Sequence, residues 1–387
     1  MDFAFTPEEE AFRREVRAFL RDELAGDIER GGSPERWRQY RGFVKKLAER
    51  GWLTLAWPAE SGGQGAGYMQ QLVYNEEMAA HDAPATDLGS DRVGPTIMLY
   101  GTDEQKARFL PPIVKGEAIW CQGFSEPGSG SDLASLQTRA VQDGDEFVIN
   151  GSKIWTSLAH FAEWMILLAR TDPEAPKHKG ISYFLVDMNT PGIEVRPLVD
   201  MLGRHQFNQV FFQDVRIPRD ALLGELNRGW YVATATLDFE RSGIQRVMGN
   251  QRTYELLARY ASETARDGRP LIAQPLVRHQ LADLKIEFEV GRLLAYRVAW
   301  MQHQGLVPNY EASVSKMFGS ELAQRLANAG MRLMGLGGQL TPGSPWARLE
   351  GRIETLYLNA AALTIAAGTS EIQRGIIAGR GLGLPRG

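Results

Sequence analysis

Cysteine occurs once in the 387-residue chain, as Cys121, and histidine only six times. A single thiol excludes an internal disulfide and any multi-cysteine zinc site, and it fits a reducing compartment. His81, His160, His178, His205, His279 and His303 never approach HExxH or another short ligand spacing, so no metal is expected. Neither charge sign dominates, since 43 Lys and Arg stand against 47 Asp and Glu for a net charge of -4. No Lys/Arg block interleaves with aromatics to track a phosphate backbone, which argues against a nucleic-acid partner. Apolar runs of about 18 residues are also absent, and the N-terminal MDFAFTPEEE is acidic where a secretion signal would be basic. The expectation is a cytoplasmic protein that does not engage a membrane.

What is present is an ordinary globular composition, 43% apolar and 23% charged, in a chain longer than one core usually supports. Residues 1–117 read as helical. Thr6, Pro7 and Glu9 form a capping box with proline at the first helical position, and Phe12, Val16, Phe19 and Leu20 follow as one stripe. RQYRGFVKKLAERG and QQLVYNEEMAAHD continue the pattern, separated by the loop AWPAESGGQGAGY. Over residues 118–222 the period changes to two. A hairpin turn is expected at Asp143-Gly144 and a second turn at Asn150-Gly151. WMILLAR, ISYFLVDM, IEVRPLV and QVFFQDVRIP read as short strands of a compact antiparallel β-domain. From 223 to 387 the helical period returns in long stretches joined by short loops, which favour antiparallel neighbours in a bundle. The fold class is therefore α+β and multidomain: helical, then β, then helical.

One short stretch, SEPGSGSD at residues 125–132, is unusually small, polar and bendable. Its plainest reading is a surface turn. Gly128 and Gly130 would also let the backbone approach a bulky ligand, with free N–H groups facing phosphate oxygens.

The order of the three parts, with GFSEPGSGSDLAS opening the β-segment, KIWTS within it and AAGTSEIQRGIIAGRGLGLPR at the end, resembles the acyl-CoA dehydrogenase family. The loops AWPAESGG and FNQVFF and the ending LGLPR are most similar to bacterial members that act on bulky acyl-CoAs, including sterol side chains. The resemblance implies an N-terminal helical domain, a middle antiparallel β-barrel-like domain and a C-terminal four-helix bundle, with FAD held between the last two. Ser125, Gly130 and Ser131 would lie along it, with Ser131 also near the acyl-CoA. Trp155 would pack on the flavin ring, and Thr156 and Ser157 would supply donors to its N5 and O4 edge, where charge arrives on reduction. Without the resemblance Trp155 reads as a core aromatic. Thr369 and Glu371 of GTSEIQR would reach the phosphates and adenosine, although Thr369 is also a plausible helix cap. MGLGG aligns with a glycine-rich turn that serves a neighbouring subunit's flavin, giving Gly335 and Gly338. It departs from the family pattern at Leu336, and the family's RxxFG is replaced by ARDGRPLIAQPLVRHQLADL.

The implied reaction takes a proton from the α-carbon of an acyl thioester and a hydride from the β-carbon to flavin N5, leaving a 2,3-enoyl-CoA. Such a weakly acidic proton needs a nearby carboxylate, and desolvation makes that carboxylate a better base. Many members place it just before GTS, where this chain has Ala367. Others carry it on an earlier helix in an LDxER-like segment, and Leu237-Asp238-Phe239-Glu240-Arg241 matches. Glu240 is the expected base, with Asp238 and Arg241 on the substrate side. The competing reading of Glu240 is a solvated helix face or an ion pair with a nearby arginine. The resemblance further implies an electron-transfer flavoprotein as acceptor and a homotetramer, homodimer or heterotetramer with a related chain. Two other roles stay open: a partner subunit that completes a flavin site without catalysing, and an acyl-CoA oxidase.

Overall fold

A computed structural model describes residues 4–24, 34–84, 87–238 and 243–385. The first helix, α1 (Pro7–Glu23), starts where the sequence says it should. Thr6 Oγ1 accepts from Glu9 N at 3.2 Å and Glu9 Oε2 from Thr6 N at 2.8 Å, which satisfies two of the free helix-end groups. Helices α2 (Pro34–Glu49), α3 (Tyr68–Ala80), α4 (Gly94–Tyr100) and α5 (Asp103–Val114) follow. A π-helical turn at Gly89–Val93 leads into α4. The chain then forms strands β1 (Trp120–Gly123), β2 (Arg139–Asp143), β3 (Glu146–Lys153), β4 (Trp164–Arg170), β5 (Ile181–Asp187), β6 (Ile193–Val199) and β7 (His205–Pro218).

These strands make one sheet, and the expectation of a purely antiparallel domain needs correction. β4 runs parallel to β1, with Trp120–Gly123 opposite Trp164–Leu167, and parallel to β2 where Arg139 faces Arg170. β2–β3, β3–β7, β6–β7 and β4–β5 are antiparallel. The cause is visible in β4 itself. Ile166 and Leu168 join one buried cluster with Trp120, Tyr183 and Leu185, while Met165, Leu167 and Ala169 join another with Phe184, Val210 and Phe212. A strand covered on both faces carries a continuous apolar run, and such strands accept parallel neighbours.

β1 and β2 thus lie end to end along one edge of β4, separated there only by the step from Leu167 to Arg170. The chain between them, residues 124–138, has to leave the sheet. This is why SEPGSGSD projects as a loop.

The β2–β3 hairpin turns as expected, with Asp143 opposite Glu146 and Gly144 at φ +61°. Asn150-Gly151 is not a turn. β3 continues through it with a bulge, the register against β7 shifting between Ile149 and Gly151. Asn150 exchanges hydrogen bonds with Asp214 instead of reversing the chain. A Cβ on Gly151 would come within 2.7 Å of Thr138 Cα, so glycine is required by the close neighbour.

The remaining elements are helical apart from a two-residue hairpin, β8 (Ala265–Arg266) with β9 (Arg269–Pro270). The long stretch after residue 228 divides into α6 (Gly229–Asp238), α7 (Ile244–Met248) and α8 (Gln251–Glu263). Then come α9 (Pro275–His303), α10 (Tyr310–Met334), α11 (Arg352–Leu363) and α12 (Ser370–Ile376). The chain packs as two compact units: residues 28–66 with 86–240, which hold the sheet, and residues 1–27 with 67–85 and 241–387. In the second unit Ile244, Val247, Leu284, Phe288, Leu322 and Leu326 share one core. Buried charge ties α1 to α3 there, where Arg13 donates to Glu76 at 2.6 Å and to Glu77 at 3.0 Å, and Tyr296 of α9 donates to Glu76 at 2.7 Å. Burial alone would raise the Glu77 carboxyl, but Arg17 and Arg13 hold it below the usual range.

The start of α6 sits directly on β5. A Cβ on Gly229 would approach Ser182 C at 2.4 Å and Tyr183 N at 2.5 Å, both backbone atoms that cannot step aside. Gly229→Ala is expected to lower stability by about 1–3 kcal/mol through overpacking, read as a fall in the urea midpoint at unchanged slope. An unchanged midpoint would show that α6 does not depend on this approach.

Candidate functional site

Within the sheet-bearing unit, the projecting loop is shaped by its own hydrogen bonds. Glu126 N donates to Ser129 O at 2.9 Å and Ser129 N to Glu126 O at 3.0 Å, closing a tight turn. Ser129 Oγ donates onward to Asp132 O at 2.8 Å. Ser125 is half-buried and its carbonyl accepts from Ile154 N at 2.9 Å, which fastens the loop to the end of β3. Gly130 and Ser131 are exposed. A Cβ on Gly128 or Gly130 would meet nothing within 4 Å, and neither has positive φ. The fold itself does not demand these glycines.

Beneath the loop lies an ion pair that the sequence reading did not single out. Lys153 is 0% exposed and donates to Glu126 Oε1 at 2.8 Å and Phe124 O at 3.0 Å. Glu126 also accepts from Gln137 N at 2.6 Å and Thr138 N at 2.8 Å. Burial by itself would raise the Glu126 carboxyl, but the Lys153 charge and these donors outweigh it and keep it below the ordinary carboxylate range. Burial pushes the Lys153 ammonium down to about 8 against the pull of Glu126. A lysine at a strand end in KIWTS gives no sign that it points inward, so no sequence signal marked it.

Beyond Lys153, the β3–β7 ladder is interrupted and then resumes. Lys153 pairs with Val210, and the next exchange is Thr156 N to Asn208 O at 3.0 Å with Asn208 N to Thr156 O at 3.1 Å. Ile154 and Trp155 therefore face Gln209 alone, which is a β-bulge, and bulges re-aim side chains. Trp155 stands at φ +58° and is 61% exposed, with its ring edge-on to Phe207 at 6.0 Å. It is not the core aromatic of the plainer reading. A non-glycine residue in this region costs about 1–2 kcal/mol. Thr156 is fully buried, and its Oγ1 has no hydrogen-bond partner among the described residues. Ser157 is exposed.

The base was expected on the chain leaving α6. That helix is held by Leu223 N donating to Tyr183 O at 2.8 Å and by Asn227 N donating to Ser182 Oγ at 2.8 Å. Near its end, Thr236 Oγ1 lies 3.0 Å from Thr96 Oγ1 of α4, both fully buried. Glu240 and Arg241 lie outside the described residues, as does the side chain of Asp238.

In the other unit, Gly335 ends α10 in an exposed position. Gly338 is buried against Met331 and Met334, and Leu336 between them is 81% exposed. Thr369 caps α12, its hydroxyl accepting from Ile372 N at 3.2 Å. Glu371 is exposed, its carboxyl held low by its own backbone N–H and by the Thr369 hydroxyl. Ala367 is exposed at φ +54°. Lys316 fixes this turn by donating to Gly368 O at 2.7 Å and Leu363 O at 3.2 Å, and Gln373 Nε2 donates to Ala367 O at 3.1 Å. Ser370 Oγ is buried without a partner among the described residues.

Family models decide what this arrangement belongs to. Those for the N-terminal, middle and C-terminal domains of acyl-CoA dehydrogenase match residues 6–117, 121–215 and 227–382. The chain belongs to the acyl-CoA dehydrogenase family. Acyl-CoA dehydrogenases are FAD-dependent oxidoreductases, and their general reaction is dehydrogenation of an acyl-CoA. The acyl-CoA dehydrogenase IpdE1 of Mycobacterium tuberculosis is 39% identical over 97% of this chain and 98% of its own. A solved structure described as the Tcur3481-Tcur3483 steroid ACAD superposes with a TM-score of 0.91 at 36% identity, covering all of both chains. The ChsE4-ChsE5 complex from Mycobacterium tuberculosis gives 0.89 at 37%, again over both full lengths.

The residues present fit FAD on two counts. Trp155 and Ser157 stand exposed on either side of the buried Thr156, which leaves an aromatic face and a hydroxyl open to a flat polar ligand. The open flank of Gly128 and Gly130 leaves room for a backbone-hugging cofactor. A surface groove of about 260 Å3 near Arg108, Glu163 and Trp164 contains none of the expected site residues. Among the described residues no cluster of three or more His, Cys, Asp or Glu could hold a metal, and no helix is long and apolar enough to cross a membrane. Cys121 is a core thiol, its pKa pushed up by burial.

Proposed function

We propose that this chain oxidises a bulky, branched or ring-bearing acyl-CoA, such as a sterol side-chain thioester, to its 2,3-enoyl-CoA. The observation that carries the reading is the full-length likeness to the steroid ACAD, in a chain whose Ala367 cannot accept a proton. Glu240 is then the group that removes the α-proton, with Asp238 and Arg241 on the substrate side. Ser125, Gly130 and Ser131 line the cofactor on one flank. Trp155 packs on the ring plane, and Thr156 and Ser157 hold donors toward its edge. Gly335, Gly338, Thr369 and Glu371 complete a site of the same kind through the helical unit, which folds as a four-helix bundle in the sense of the family. FAD bound along these residues supplies the oxidant that takes hydride from the β-carbon. An electron-transfer flavoprotein is the proposed acceptor, and a cytoplasmic oligomer the proposed form. Exposed Leu336, Trp346 and Ile365 support subunit contact, since a partner would remove them from water.

The test is bleaching of the purified yellow protein by straight, branched and ring-bearing acyl-CoAs under anaerobic conditions. Ring-bearing or branched thioesters are expected to bleach the flavin at the lowest concentration. If no acyl-CoA bleaches it, the catalytic reading is lost. A second reading is favoured by the paired names of both solved relatives: the chain acts as one half of a heteromer. In that case it would purify colourless alone and gain flavin only when co-expressed with a related chain. Peroxide formed in air at the rate of substrate loss would instead make it an oxidase.

A further inference from the structure

We infer that Asn208, in the FNQVFF segment of β7, is the positioning residue that holds Trp155 and Thr156 in place to meet the flavin. The inference rests on the proposed role of residues 155–157. Asn208 is fully buried. Its Nδ2 donates to Thr156 O at 3.0 Å and to His160 Nδ1 at 3.0 Å, while its Oδ1 lies 2.7 Å from His205 Nε2. Thr156 O can only accept, which fixes the amide orientation, with both Nδ2 donors used and one bond accepted at Oδ1. His205 must then carry its proton on Nε2, and His160 must present a bare Nδ1 to the amide. Burial, with His205 beside it, pushes His160 down to about 4, consistent with a neutral acceptor.

The two imidazoles stack at 3.9 Å, and Phe161 behind them stacks on Trp37 of α2 at 4.1 Å. The amide is thus anchored on a rigid aromatic base. From there it clamps the carbonyl of the residue that follows the left-handed Trp155. No other side chain among the described residues donates to Thr156 O. Thr156 O keeps one further donor, the Asn208 backbone N–H at 3.1 Å, so removing the clamp loosens the bulge rather than releasing it, which would let Trp155 swing and move the Thr156 hydroxyl. A site tolerant to such movement is not preorganised.

The experiment compares flavin-loaded parent protein with Asn208→Asp, which keeps the shape but loses both N–H donors. Thr156→Val serves as a reference at the clamped residue itself, and Thr54→Val as a control that removes one buried hydroxyl bond, to Gly62 O, elsewhere in the unit. Asn208→Asp is expected to raise the FAD Kd about 10-fold or more. It should also shift the visible band of the bound flavin in the direction seen for Thr156→Val. Thr54→Val should lower the thermal midpoint without either change. Should Asn208→Asp fail to fold, His205→Phe keeps the stack, removes the Nε2–H that donates to Oδ1 and is expected to shift the same band by less. If Asn208→Asp and His205→Phe leave the Kd and spectrum at the parent values while Thr156→Val moves them, Asn208 is only packing and the inference is wrong. If Thr156→Val is silent as well, the assignment of residues 155–157 to the flavin fails instead.

Discussion

Glu240→Gln is expected to lower kcat for the preferred acyl-CoA by about 100- to 10,000-fold, the range spanned by loss of a positioned general base. The carboxamide keeps the size of the side chain and removes its ability to take the α-proton. FAD content, visible spectrum and thermal midpoint should therefore match the parent. The acid limb of the kcat/KM profile, which reports the free base, should disappear. Glu240→Asp should retain part of the rate, because a shorter carboxylate can still accept a proton from a less favourable distance. Asp238→Asn should cost far less than either. Turnover of Glu240→Gln at the parent rate would mean that another group is the base, since Ala367 cannot serve.

Lys153→Met is expected to destabilise the protein by about 3–5 kcal/mol at neutral pH, because it strands a carboxylate that is 9% exposed. The pH dependence gives the sharper check. In the parent, the folded-state pKa of Glu126 is depressed. Its contribution is present above the unfolded carboxylate pKa and is lost as pH falls through the lower folded value. Without Lys153, burial becomes the dominant influence and raises the folded pKa above the unfolded one. The folded variant then binds the extra proton, so its deficit against the parent should shrink as pH falls from 7 toward 4. Urea titrations at several pH values measure this directly. A deficit that stays constant or grows on acidification would show that Glu126 is not held as a buried anion.

Local signals were legible from the residues alone. Thr6 and Glu9 announced the start of α1, and Gly144 fitted a two-residue hairpin with residues of period two on either side. SEPGSGSD stood out by its own composition, whereas Trp155 and Thr156 were singled out through resemblance. What the sequence hid were relations between distant strands. Nothing in WMILLAR says that its first half pairs with β1 and its last residue with β2. Asn150-Gly151 has turn chemistry, yet the flanking strand pairs straight through it because β7 offers Asp214 as a partner. Asn208 and Lys153 escaped notice for a related reason. A buried amide or ammonium is recognised by its partners, and those lie far away in the chain.

The shared edge of β4 also bears on synthesis. As the polypeptide emerges from the ribosome, Trp120 has no ladder to join until Trp164 has been made, and every residue of the 124–138 loop is translated in the interval. Non-local pairings of this kind form slowly, whereas neighbouring hairpins close at once. The nascent chain therefore carries residues 124–138 unshaped until the sheet behind them is complete, and the cofactor contacts proposed for this loop would have to wait for β4.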